Sequence, residues 1–265
     1  MPTILLTISY DGSSYSGWQV QPNGLAVQQV VEEALWKLLG ERVQLRSSGR
    51  TDAGVHARAM PAVFTTGRDL PLRAFIEGTN RFLPPDIAVQ SACCVPDGFK
   101  PISAARAKHY RYIIQNTASR SPLDRLYSWH VREPLDIEAM STAAGYFIGN
   151  HDFNAFRASN CSAKTTVRRI DSIDIGQQRG SIFFDVIGGG FLKNMVRVMV
   201  GTLVEIGRGR YAPEYVQYLL CARDRKKAGV TAPACGLCLM EVYYSDSSLL
   251  TSCSTDRPVS SEKPR

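Results

Sequence analysis

Asp52 stands in a run of small residues, Ser47, Ser48, Gly49, Arg50, Thr51, Asp52, Ala53 and Gly54, closed by Val55, His56 and Ala57. Ordinary surface carboxylates sit among other charged and polar groups. This one has Gly49 and Gly54 nearby, where backbone and a flat ligand can come close. Arg50, two positions away, favours the ionised carboxylate if the chain turns the two together. A carboxylate prepared in this way serves as a nucleophile or an electrostatic stabiliser. The plain alternative is a strand and a glycine turn capped by an Asp. Other chemistry is poorly supplied. His56, His109, His130 and His151 share no spacing that suggests a metal site or a nucleophilic triad. Cys235 and Cys238 form a lone Cys-x-x-Cys without a second ligand pair, so they read as packing groups in a strand.

The elements that must position Asp52 follow from hydrophobic period. Thr3 to Ser9 alternates as a strand and ends at Tyr10, Asp11 and Gly12. Val27, Val30, Val31, Ala34, Leu35, Leu38 and Leu39 recur at helical spacing, with Gly40 as the stop. Val43 to Ser47 reads as a strand delivering the Asp52 loop, and Ala62 to Thr66 as the next. Leu72 to Phe82 is a helix closed by Pro84 and Pro85, and Ile87 to Val95 a fourth strand. That order is a ferredoxin-like α+β unit. A second series begins near Ala104. It runs through a strand from His109 to Gln115, a helix from Ile137 to Phe147, strands from Val167 to Ile175 and Ile182 to Val186, and a break at Gly188, Gly189 and Gly190. An amphipathic helix over Phe191 to Ile206, a helix opening at Pro213 and a strand from Leu237 to Tyr244 follow. The expected architecture is α+β, with two ferredoxin-like units, 1–103 and 104–244, joining antiparallel sheets around a central catalytic cleft. Residues 245–265, rich in Ser, Asp and Pro, read as a disordered tail.

Composition narrows the partner. The 265 residues carry a formal charge of +7, and Arg and Lys are spread along the chain rather than gathered in a tail. That pattern fits a broad groove for a polyanion such as RNA. Seven cysteines without framework spacing fit a reduced, cytoplasmic protein. No apolar run is long enough to span a bilayer, and no signal peptide is evident.

The segment Gly49, Arg50, Thr51, Asp52, Ala53, Gly54, Val55, His56 closely resembles the signature of the tRNA pseudouridine synthase A family. Similar matches run from Tyr10, Asp11 and Gly12 through Gly17, Trp18 and Gln19, and through Val27 and Gln28. They continue through His109, Tyr110, Arg111 and Tyr112, the Asp152 to Arg157 segment, and Met195, Val196 and Arg197. Thr231, Ala232, Pro233, Gly236 and Leu237 complete them, so the resemblance spans residues 3 to 244. It implies conversion of tRNA uridine to pseudouridine at positions 38 to 40 of the anticodon stem and loop, by a homodimer, with no cofactor and no metal. It also implies roles: Asp52 as the essential carboxylate, Tyr110 stacking on uracil with a hydroxyl able to act as base, and Arg197 paired with Asp52. Leu237 becomes a pocket wall, His56 orders the loop, and Arg50 takes part in extruding the nucleotide. The chain departs from the family at Ala57 to Ala62, including Arg58, Met60 and Pro61, and at Ile102, where an Arg is frequent. These departures bear on RNA grip, and Arg58 is a candidate compensating cation. Three rivals remain: a pseudouridine synthase for another RNA site, a non-catalytic RNA-binding protein, and a metal-dependent hydrolase. The last lacks further ligands at suitable spacing.

Overall fold

The computed structural model describes residues 1–244; the tail expected over 245–265 lies outside them. The first half contains β1 (Thr3–Tyr10), α1 (Val27–Leu39), β2 (Arg46–Ser47), β3 (His56–Thr65), α2 (Leu72–Asn80) and β4 (Ile87–Val95). β1 lies between β4 and β3, antiparallel to both, and β2 adds to the far edge of β3. This strand order is the ferredoxin-like one. Helix α1 buries Val27, Val31, Ala34, Leu35 and Leu39 along one face. It ends at Gly40, whose left-handed backbone (φ 73°) lets its N–H reach the Trp36 carbonyl at 2.9 Å.

The second half repeats the order. Its elements are α3 (Pro101–Ala104), β5 (Ala105–Gln115), β6 (Trp129–His130), α4 (Ile137–Gly145), β7 (Gly149–Asp152), β8 (Val167–Gln178), β9 (Ser181–Gly188), α5 (Met195–Gly207), α6 (Tyr215–Ala222) and β10 (Leu237–Tyr244). The strands run β10-β5-β9-β8-β7, each antiparallel to its neighbour, and β6 pairs with β5. The protein is therefore α+β, with both antiparallel units joined in one ten-stranded sheet.

The joint is a short parallel pairing of β10 with β3, Cys238 opposite His56 and Leu239 opposite Ala57. At the other end of β3 the same edge pairs with β2, Arg46 opposite Val63 and Ser47 opposite Ala62. Two partners thus share one edge, and between them Arg58 to Met60 have no strand partner on that edge among the described residues. Pro61 follows this stretch. Its carbonyl accepts from the Ser48 N–H at 3.0 Å, so its missing N–H points to the same side and removes no bond to β1.

Helix α5 is buried nearly all round, from Met195 to Gly207, with only Arg197 keeping a small exposure on the cleft side. It starts later than the expected Phe191 because Asn194 takes a left-handed backbone conformation (φ 62°, ψ 4°) that breaks the helical run. β3 starts six residues before the expected Ala62, since Arg58 and Pro61 obscure its alternation. The short α3, β6 and β7 were not expected; their sequences carry too few residues for a period to show. Phe147, Phe153 and Phe156 pack together as fully buried core. No helix of the described residues is long and apolar enough to cross a membrane.

Close packing of α5 makes one substitution informative. A Cβ at Gly201 would lie 1.9 Å from the Val230 carbonyl oxygen. Gly201→Ala is expected to destabilise the fold by roughly 1–3 kcal/mol, lowering the urea midpoint. An unchanged midpoint would mean that the Val230 segment yields freely.

Candidate active site

The Asp52 loop is held from three sides. From the first strand, the Tyr10 hydroxyl bonds Thr51 Oγ1 at 2.7 Å. The Trp18 N–H donates to the Thr51 carbonyl at 3.2 Å, and the Gly54 N–H to Tyr15 at 3.3 Å. Gly12 lies so close that an added Cβ would sit 2.0 Å from the Val55 carbonyl oxygen, which explains a glycine there. These contacts give physical work to the Tyr10–Gly12 and Gly17–Gln19 segments.

His56 ties the loop to the second half of the sheet. Its Nε2 lies 3.0 Å from the Leu126 carbonyl and 3.1 Å from that of Cys235, so Nε2 carries the hydrogen. Neutral Nδ1 then accepts from the Gly12 N–H at 3.1 Å. When protonated, Nδ1 faces Asp11 Oδ1, also at 3.1 Å. Burial of Asp11 opposes its ionisation but is outweighed by bonds from Ser13 and Tyr127, so its carboxyl titrates below the usual range. His56 is buried behind the loop and does not line the cleft.

In front of the loop is a cleft of about 850 Å³, lined by Asp52, Arg50, Tyr110, Phe191, Arg197 and Leu237 among others. Arg197 Nη1 lies 3.8 Å from Asp52 Oδ2. The guanidinium is fixed elsewhere: Nε donates to the Ala232 carbonyl at 2.7 Å and Nη1 to Asn194 Oδ1 at 3.0 Å. Arg197 therefore does not reach past its apolar neighbours to water. Asp52 accepts no side-chain hydrogen bond among the described residues, so its lone pairs face the cleft while a cation stands beside it. Tyr110 is buried, edge-on to Phe191 at a ring distance of 5.1 Å. Burial and then the Asp52 charge push its hydroxyl far above the ordinary tyrosine range. Leu237, also buried, forms the wall beside it. Arg50 and Ile102 line the rim; Arg58 is exposed on β3 outside the lining.

A family pattern described as tRNA pseudouridine synthase matches residues 6–101 and 143–245. The chain belongs to the tRNA pseudouridine synthase family. A protein of Pelobacter propionicus named tRNA pseudouridine synthase A is 70% identical over 244 residues, covering 92% of this chain and all of the relative. A protein of the same name from Geotalea uraniireducens is 57% identical with the same coverage. One from Myxococcus xanthus is 49% identical over 247 residues, covering 93% of each chain.

Within this pseudouridine synthase scaffold, two cleft residues escaped the sequence reading. Asn194 holds Arg197, and its signal was an Asn just ahead of an apolar helix, a residue type that accepts left-handed backbone. Lys108 is on β5 two residues before Tyr110, and period two alone puts both on one face. The remaining histidines are locally satisfied: His109 by Asp185 at 2.6 Å, His130 by the Thr117 carbonyl and His151 by the Ile148 carbonyl. Cys235 and Cys238 are free thiols, and burial pushes Cys238 up to about 11. Among the described residues no group of three or more His, Cys, Asp or Glu gathers as a metal site.

The buried tyrosines around the cleft set a pH dependence. Burial raises Tyr10, Tyr110 and Tyr112 above their ordinary value of 10.0. The folded state thus keeps protons that the unfolded chain releases. Their stabilisation is fully present below about pH 10 and is lost as pH rises beyond it. Urea midpoints should hold up to about pH 9 and fall above about pH 10. A midpoint that stays flat through that rise would contradict the assignment of buried neutral phenols.

Proposed function

We propose that the protein isomerises uridine to pseudouridine in tRNA, at positions 38 to 40 of the anticodon stem and loop, with Asp52 as the essential carboxylate. One observation carries this reading: a carboxylate that accepts no side-chain hydrogen bond among the described residues, beside a fixed guanidinium and a buried tyrosine, in a cleft of about 850 Å³. Family membership and the names of its relatives support it.

The chemistry is balanced without cofactor or electron transfer. The bond from uracil N1 to ribose C1′ breaks, the base turns, and a bond forms from C5 to the same C1′. C5 then loses its proton and N1 gains one. Asp52 meets the ribose or the uracil as nucleophile, with the Arg197 guanidinium as a positive charge beside it. Tyr110 and Leu237 hold the detached base between a ring and an aliphatic wall. The Tyr110 hydroxyl accepts the C5 proton only in concert with loss of its own, because its environment disfavours a free phenolate.

A uridine in a stem must leave its stack, at a cost of about a few kcal/mol. Arg50, at the rim, fills the gap and meets phosphates; Arg58 extends the grip outside the cleft, and His56 keeps the loop in shape. Residues 1–103 and 104–244 act as two domains, two copies form a dimer on one tRNA, and the enzyme works in the cytoplasm with its substrate.

Tritium release from tRNA transcripts labelled at uridine C5 tests the reading. Wild type should release tritium, and Asp52→Ala should lose more than about a thousandfold in rate while still binding RNA. Release by both would remove Asp52 from the chemistry; release by neither, with RNA bound, would favour a binding protein. Tyr110→Phe should slow release by about 10²–10⁴-fold, and full activity would remove the base role.

A further inference from the structure

Lys108 lines the same cleft as Asp52 and is largely buried, yet among the described residues no carboxylate forms an ion pair with it. An ammonium loses hydration on burial, and only an anion or several acceptors replace it. Nζ has one such partner among the described residues, the Ser48 carbonyl at 2.9 Å. Of its three N–H donors, two are left over. Burial pulls its pKa below that of an ordinary lysine, with no neighbouring carboxylate to offset the effect. Among the described residues the one carboxylate that lines this cleft, Asp52, already faces Arg197. Gly49 completes the picture: an added Cβ there would fall 2.7 Å from Nζ, so the ammonium rests against bare backbone at the head of the catalytic loop.

We propose that Lys108 is a phosphate anchor, pairing its ammonium with the backbone phosphate adjoining the uridine held at Asp52 and Tyr110. The proposal rests on RNA being the substrate, as argued above. An RNA phosphate supplies the missing anion, and a charge-assisted bond in a partly dry cleft is stronger than one at the surface. The Ser48 bond gives the anchor a second consequence. Ser48, Gly49, Arg50 and Thr51 lead directly to Asp52, so one short segment carries both the phosphate grip and the carboxylate. Seating the phosphate thereby fixes the ribose against Asp52.

The test is direct binding of the full chain to an anticodon stem-loop RNA. Single methylphosphonate linkages, which remove one backbone charge, are placed in turn on either side of the target uridine. In wild type one linkage should weaken binding by about tenfold to a hundredfold, the loss of one bond to a charged group. Lys108→Met should weaken binding to unmodified RNA by a similar factor and lose nothing further at that linkage. Its slope of log affinity against log salt should fall by about one. Lys108→Arg, which keeps the charge and guards against a folding defect, should retain the linkage effect. The proposal is overturned if no linkage beside the uridine matters in wild type. It is also overturned if Lys108→Met keeps the wild-type penalty and salt slope, since Lys108 then only props the Ser48 backbone. Bound RNA without tritium release would sink the synthase reading alone, because the linkage scan reads binding and not turnover.

Discussion

The two-residue parallel pairing of His56 and Ala57 with Cys238 and Leu239 is the constraint on which the site depends. It joins the two antiparallel units, and it does so at the residue that ends the Asp52 loop. His56 serves the joint twice. Its backbone is in the ladder, and its ring bonds Cys235 on one side and Gly12 on the other. Asp52 from the first unit therefore meets Tyr110, Arg197 and Leu237 from the second in fixed geometry. The short β2 takes the other end of that edge, and the segment that runs from it towards β3, Ser48 to Ala53, lines the cleft.

The electrostatics of the cleft follow from which donors are already committed. Arg197 gives its bonds to the Ala232 carbonyl and Asn194, and therefore acts on Asp52 as a charge at 3.8 Å rather than as a clamp. The Arg197 side chain is 16% exposed and that of Asp52 29%, so solvent screens part of their attraction. The result suits a nucleophile: a cation stands beside the carboxylate, yet its lone pairs accept no side-chain hydrogen bond among the described residues. A bidentate bridge would have held the carboxylate more firmly and blunted it.

Local features were the legible ones. Helix α1 shows its buried face and its Gly40 stop in the sequence, and the order of strands and helices gives the ferredoxin-like unit twice. The Asp52 loop declares itself by its small residues and by family resemblance. Pairing between distant segments was not legible. Nothing near Cys238 indicates that β10 lies against β3, because the pairing is settled by how two finished units fit. The start of β3 was hidden by Pro61 and Arg58, which break the alternation but sit at an edge that tolerates them. Asn194 was read as helix because its neighbours are apolar, whereas its backbone is left-handed and its side chain holds Arg197. Lys108 carries no motif that marks it in the sequence, and only its burial on β5 distinguishes it from the exposed Arg58.

The same burial shapes the order of events at Tyr110. A phenol in water would be a modest acid; here the apolar surroundings and the adjacent Asp52 charge both keep its proton in place. Those two influences change during the proposed reaction. Once the carboxylate attacks, its negative charge passes into a covalent bond and the opposition to a phenolate weakens. On the proposed reading Tyr110 thus begins as a neutral surface for the uracil and gains basicity only after Asp52 has acted. Coupling of this kind would separate glycosidic cleavage from proton removal without a second carboxylate beside Asp52. It also accounts for a tyrosine where a carboxylate or histidine would be a stronger base: a second anion beside Asp52 would raise the pKa of both groups, and a histidinium would compete with Arg197 for the carboxylate.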